Sequence, residues 1–186
     1  MRIVDEIIVH CSATRPEWFE GKTINQKRDE IRNWHVRDRG WKDIGYALLI
    51  DRDGKTAKGR DLDKDGDVWE EIGAHVEGKN TRSIGLCLIG GFGANANDPF
   101  EKNFTKAQDD TLRMVIADLQ RQFPSIKKVS GHNQYAAKAC PGFKVVDWLG
   151  KKKSPVAVVD YVTKAPKKDN FITWFINKLG ELIKNP

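Results

Sequence analysis

Gly131 to Phe143 reads GHNQYAAKACPGF. His132, Lys138 and Cys140 share this one segment, bounded by Gly131 and by Pro141-Gly142. Imidazole and thiolate are side chains that zinc prefers. His132 and Cys140 lie eight positions apart, too far for one helical turn, so a loop must bring them together. Two ligands leave a hydrolytic zinc site incomplete, because such a site uses three protein ligands and keeps a fourth position open for water. The third ligand and the fold that assembles the set must come from elsewhere in the chain.

Just upstream, Ile126 to Ser130 reads as a short strand leading into this stretch, and Val145 to Leu149 downstream as a short helix. At the other end of the chain, Ile3 to His10 is apolar and β-branched, which predicts a buried strand whose C-terminal end delivers His10. Strand ends at the rim of an α/β sheet are where functional side chains collect. His10 is therefore the best third ligand. Cys11 reads as a small buried residue. His75, in Gly73-Ala74-His75-Val76, is a rival ligand that spacing alone does not eliminate. His35 lies in a charge-rich helix and reads as a surface residue.

The segments between are strongly patterned. Thr23-Ile24-Asn25-Gln26 and Thr105-Lys106-Ala107-Gln108 both fit a capping box, in which each side chain satisfies a free N–H of the other residue. The first opens a helix that Gly40 ends; the second opens a helix running to about Phe123, stopped by Pro124. Tyr46 to Ile50 reads as a strand, Asp51 to Lys55 as a hairpin turn with Asp53-Gly54 at its tip, and Thr56 to Arg60 as the returning strand. Ser83 to Ile89 reads as another buried strand. The order strand, helix, hairpin, strand, helix, strand predicts an α/β fold. Its mixed central β-sheet is flanked by helices, with the metal site in a cleft at the sheet rim.

The chain has 186 residues, enough for one domain and an extension; hydrophobic residues at 39% supply a core. Net charge is +6, which suits an anionic partner such as a wall polymer or anionic lipid. The basic residues are mostly scattered and no RNA-binding signature is apparent, so nucleic acid is not an expected partner. Three cysteines cannot all pair within one chain, which argues against a disulfide framework. Asp5 and Glu6 interrupt what would be the apolar core of a signal peptide, and this predicts a chain first held in the cytoplasm.

Asp61, Asp63, Asp65 and Gly66 match the opening of a calcium-binding EF-hand loop, but the twelfth position is Ile72 and flanking helices are not evident. The reading is a solvated acidic turn, with calcium at Asp61, Asp63 and Asp65 as the alternative and Glu70 or Glu71 able to close an irregular site. Lys151 to Lys168 changes character, carrying Lys151-Lys152-Lys153, Pro155 and Pro166, and reads as a linker or strap. Residues 169 to 186 form a tail in which Phe171, Phe175, Leu179 and Leu182 fall at helical spacing with Trp174 beside them. Such an amphipathic helix, over 170–184, suits an anionic membrane surface or a place on the main domain.

An ordered set of short motifs then resembles one family. His10-Cys11-Ser12-Ala13-Thr14, Gly45-Tyr46, Gly54, Gly59-Arg60-Asp61, Gly73-Ala74-His75, Ser83-Ile84-Gly85 and Lys138-Ala139-Cys140-Pro141-Gly142 are similar to the zinc-dependent N-acetylmuramoyl-L-alanine amidases of the phage lysozyme type. That family also includes the peptidoglycan recognition proteins. The resemblance covers roughly residues 3 to 150 and places the amidase domain at 1–150. It implies that His10, His132 and Cys140 bind Zn2+, that Tyr46 and Lys138 are catalytic, and that His75 is a substrate-side residue in the cleft. It implies peptidoglycan as substrate and the amide between N-acetylmuramic acid and L-alanine as the bond cut. Elementary chemistry agrees: attack on an amide builds negative charge on the carbonyl oxygen, and a cation beside it lowers the barrier. A tyrosine hydroxyl can orient a water or help move its proton. Neither the acidic loop from Asp61 to Ile72 nor the chain beyond Leu149 takes a role from the family.

Three functions fit the motif set. A phage-type endolysin, monomeric and cytoplasmic until released onto the wall, suits the basic charge. A cytosolic amidase recycling soluble wall fragments typically carries aspartate where this chain has Cys140. A recognition module that binds peptidoglycan without cutting it usually lacks that cysteine ligand.

Overall fold

The computed structural model describes residues 2–151. The expected helical tail over 169–186, and all but Lys151 of the expected linker over 151–168, lie outside the described residues.

Five strands form one sheet in the order β3-β2-β4-β1-β5. The central strands are β1 (Glu6–Cys11) and β4 (Ser83–Leu88), paired in parallel, with β5 (Lys128–Gly131) parallel on the far side of β1. On the other side β2 (Leu48–Ile50) runs parallel to β4, and β3 (Thr56–Lys58) closes the edge as the antiparallel arm of the expected hairpin. Every residue of β1 and β4 is buried. Strands covered on both faces read as near-continuous apolar runs, which is why both were visible in the sequence.

Helices cover the two faces. α1 (Ile24–Asn33) starts at the Thr23 capping box, and α3 (Lys106–Gln122) at the Thr105 box, each with both reciprocal bonds formed. Such caps contribute about 1 kcal/mol each. A short α2 (Phe100–Asn103), not expected from the sequence, precedes α3, and α4 (Val145–Gly150) follows the 131–143 stretch. On the α3 face, Ile7, Val9 and Cys11 of β1 and Ile84, Leu86 and Leu88 of β4 pack with Leu112, Val115, Ile116 and Leu119. On the α1 face, Leu49 and Cys87 pack with Ile24, Ile31, Ile44 and Ile89, and Trp18, Trp34 and Tyr46 lie against them. Each buried aliphatic side chain contributes about 1.5–3 kcal/mol.

Strand alternation then aims the functional groups. Val9 and Cys11 belong to the α3 face, so His10, one position out of phase, points to the opposite face. Gly85 and Cys87 are likewise out of phase with Leu86, and the register pairs Ile8 with Gly85 and His10 with Cys87. His35 corrects the surface reading. α1 passes directly into a π-helical turn at Trp34–Asp38, and His35 is buried within it at 8% exposure. Its Nδ1 accepts a hydrogen bond from the Gly45 N–H at 3.2 Å. A regular helical pattern cannot anticipate the wider turn that moves this ring inward.

Candidate metal centre

His10 sits one residue from the C-terminal end of β1 and is fully buried. His132 begins the short 3-10 turn that follows β5. Since β1 and β5 are parallel neighbours, both histidines emerge at the same rim, with ring centroids 4.8 Å apart. The following loop folds back: Asn133 N donates to Cys140 O, and the Asn133 side-chain amide donates to Phe143 O. The Cys140–Pro141 peptide is cis. The loop returns Cys140 Sγ to 3.8 Å from His10 Nδ1, and the Cys11 N–H points at the same sulfur at 3.3 Å.

The ligand atoms of His10, His132 and Cys140 all lie within 4.8 Å of one another. A nitrogen and a sulfur at tetrahedral angles around zinc lie about 3.5 Å apart, given zinc–nitrogen and zinc–sulfur bonds of about 2.0 and 2.3 Å. The His10–Cys140 separation fits that spacing, and the two-nitrogen, one-sulfur donor set fits zinc chemistry. His10 is buried while His132 and Cys140 remain half-buried, so the cluster is partly open to solvent.

The electrostatics favour neutral imidazoles. Burial holds the His10 pKa well below its usual value, aided by His75, His132 and Lys138. His132 is lowered by burial and then by the Lys138 charge. Contact with Cys11, followed by burial, pushes the Cys140 thiol up. A bare pair of imidazoles and a thiol gives the anion nothing to offset its burial; a divalent cation would supply that offset and release the thiol proton.

Tyr46 stands beside this cluster, its ring 5.1 Å from that of His10, and burial raises its pKa well above the usual value. It is therefore a neutral phenol over the working range of pH. Its other side meets His35, ring to ring at 5.4 Å. Lys138 is exposed on the loop, and its charge reaches both histidines.

The ring expected on the substrate side, that of His75, packs edge-on against His10 with centroids 5.0 Å apart. It is 7% exposed, and its Nδ1 lies 3.0 Å from His10 Nε2. It sits against His10, and its Nε2 lies 3.3 Å from Ser83 Oγ. Burial, with the Arg2 charge second, pushes its pKa down to about 3. Sequence reasoning missed Ser83 and His35 as parts of this site. Two of the matching motifs, Gly73-Ala74-His75 and Ser83-Ile84-Gly85, carried the signal, because in the fold they form a single contact.

In the acidic loop the structure groups Asp61, Asp63 and Glu71, and leaves Asp65 outside the set. These carboxylates serve the loop's own backbone: Asp61 accepts from Gly66 N, Asp63 from Asp65 N, Asp65 from Asp67 N and Glu71 from Leu62 N. The alternative trio of Asp61, Asp63 and Asp65 is not assembled; Glu71, one of the two residues able to close an irregular site, stands with Asp61 and Asp63 instead, and the Asp65 carboxylate accepts from Asp67 N. Asp63, Asp65 and Glu71 are satisfied within the turn, whereas Asp61 Oδ1 is buried without a hydrogen-bond partner among the described residues.

Comparison with known proteins agrees with this geometry. A family described as N-acetylmuramoyl-L-alanine amidase matches residues 1–143. An endolysin of Klebsiella phage KP32 is 39% identical over 148 residues, 80% of this chain and 87% of the relative. An endolysin of Escherichia phage T7 is 38% identical over 149 residues, again 80% of this chain and 87% of the relative. Among solved structures, the N-acetylmuramoyl-L-alanine amidase LysC from Clostridium intestinale has the same fold, with a TM-score of 0.60 at 22% identity, covering 81% of this chain and 85% of that one.

Proposed function

This chain belongs to the N-acetylmuramoyl-L-alanine amidase family, and on that premise we propose that it is a phage-type endolysin cutting peptidoglycan by zinc-dependent hydrolysis. The bond broken is the amide between the lactyl group of N-acetylmuramic acid and L-alanine. The observation that carries this reading is the convergence of His10, His132 and Cys140 beside Tyr46 at one sheet rim. Zinc on these three ligands would supply Lewis acidity and bring the pKa of a water in the open position to about 7.

The chain's own groups divide the remaining work. Lys138 places its ammonium where the amide oxygen gains negative charge, so it stabilises the transition state more than the ground state. Tyr46 keeps its proton and donates a hydrogen bond at the reacting centre, and it can pass that proton on as the C–N bond breaks. His35 and the Gly45 N–H hold the Tyr46 segment from behind. The buried floor beneath His10 shields the reacting groups from bulk water on the sheet side.

Before release the protein resides in the host cytoplasm, and it acts on the wall as a monomer. Among the described residues no helix is long and apolar enough to cross a membrane. The spacing of Phe171, Phe175, Leu179 and Leu182 and the lysines around them suit contact of residues 170–184 with an anionic membrane surface. Activity on intact cell walls tests the endolysin reading: sacculi should be solubilised by catalytic amounts of protein. Hydrolysis confined to soluble muropeptides would point to recycling, and binding without hydrolysis to a recognition module.

A further inference from the structure

We infer that His75 and Ser83 are positioning residues that fix the tautomer and ring orientation of His10, leaving its Nδ1 as the metal-binding nitrogen. This rests on the reading of His10 as a ligand. The direction of the hydrogen-bond chain follows from its far end. Ser83 Oγ lies 2.9 Å from the Lys79 carbonyl oxygen. A carbonyl only accepts, so the single hydroxyl proton of Ser83 is committed there. Ser83 Oγ must then accept from His75, which puts the His75 proton on Nε2, 3.3 Å away. His75 Nδ1 is left as an acceptor, and it faces His10 Nε2 at 3.0 Å. His10 therefore carries its proton on Nε2. Its Nδ1 is bare and faces Cys140 Sγ at 3.8 Å, on the side where the three ligand atoms converge.

Each link is shielded from water, with Ser83, His75 and His10 at 1%, 7% and 0% exposure. The His75 backbone is held as well: Asn80 Oδ1 accepts from the N–H groups of both His75 and Val76 at 2.9 Å. Two glycines clear the space for the ring. A Cβ on Gly73 would stand 2.4 Å from His75 Cδ2, and one on Gly85 would stand 2.7 Å from His75 Cγ. Gly85 lies inside the fully buried strand β4, where glycine weakens pairing and is otherwise unexplained. A histidine that shared a metal ligand's proton only by chance would not need room made for it from two separate segments. The chain does for His10 what a carboxylate or carbonyl does behind other metal-ligating histidines.

Two measurements test this. Nitrogen-15 NMR of the metal-free protein reads the tautomer directly, and the expected result is a proton on Nε2 of His10. A proton on Nδ1 would overturn the inference whatever the metal does. Zinc affinity, by chelator competition, is the second. His75→Ala should weaken zinc binding about 10- to 100-fold. His75→Gln can accept through its carbonyl and donate through its amide, and should recover most of that loss; Ser83→Ala should give a smaller loss. The visible spectrum of the cobalt-substituted protein should shift in His75→Ala and return toward the parent in His75→Gln. If His75→Ala does not fold, Ser83→Ala and His75→Gln carry the comparison. Parental affinity and spectrum in Ser83→Ala and His75→Ala sink the inference while leaving the zinc reading intact; failure of the parent protein to bind zinc sinks the zinc reading itself.

Discussion

Gly85→Ala should destabilise the protein, opposite in sign to the usual effect of this change. Glycine in a strand costs backbone entropy, so alanine ordinarily gains roughly 0.5–1 kcal/mol. At Gly85 the added methyl would meet His75 Cγ, Cδ2 and Nδ1 at 2.7, 2.8 and 3.0 Å. Comfortable carbon contacts lie at about 3.5–4.0 Å. The ring cannot swing clear, because His10 and Ser83 hold its two nitrogens and the Gly73 backbone closes the other side. Overpacking of this kind costs about 1–3 kcal/mol. The net loss is then about 1–2 kcal/mol, which lowers Tm by roughly 2–8 °C in a domain of this size. Urea unfolding in the presence of a chelator measures it free of metal linkage. In a His75→Ala background the obstacle is gone, and Gly85→Ala should become neutral or stabilising, a coupling of about 1–3 kcal/mol. A Gly85→Ala protein as stable as the parent, with additive effects in the double variant, would refute the packing argument and the role assigned to this glycine.

Lys138→Ala and Tyr46→Phe should keep fold and zinc but lose about 100- to 1,000-fold in turnover; near-parental hydrolysis by either variant removes that residue from the chemistry. His35 gives stability a pH dependence. Burial, then Arg39 and Arg60, push its pKa down to about 4 against the opposing charge of Asp43. Between pH 6.5 and 4 the unfolded chain binds a proton that the folded chain refuses, so this contribution to stability falls as the pH falls through that window. Replacing it by His35→Asn should flatten that part of the stability profile, and an unchanged slope would contradict its burial as a neutral ring. Truncation of residues 169–186 should leave hydrolysis of purified peptidoglycan near the parental rate and weaken binding to anionic vesicles, whereas unfolding of the truncated protein would assign the tail to the core.

Local signals in the chain were legible and long-range ones were not. Thr23 with Gln26, and Thr105 with Gln108, mark helix starts because a capping box is closed within four residues. The apolar runs of β1 and β4 show as strands because both of their faces are covered. The sheet order is another matter: β4 inserts between β1 and β2, and no local pattern states which strands become neighbours. The same limit explains the histidines. His10 could be placed at a strand end, but its contact with His75 spans 65 positions, which no local pattern signals. His35 was misread because its charged neighbours look solvated in a regular helix, and the π-helical turn breaks that regularity. The approach of Cys140 to His132 is legible in its segment, since a cysteine eight positions after a histidine in a Gly- and Pro-bounded loop can fold back toward it.

The most direct test of the central claim is mass spectrometry of purified peptidoglycan digested by the zinc-loaded protein and by the same protein stripped with chelator. The account predicts that the loaded protein releases stem peptides with a free L-alanine amino terminus from glycan strands whose lactyl groups end in carboxylate. It predicts that stripping abolishes this release and that added zinc restores it. Products with cleaved glycosidic bonds, or full release of stem peptides by the stripped protein, would contradict it.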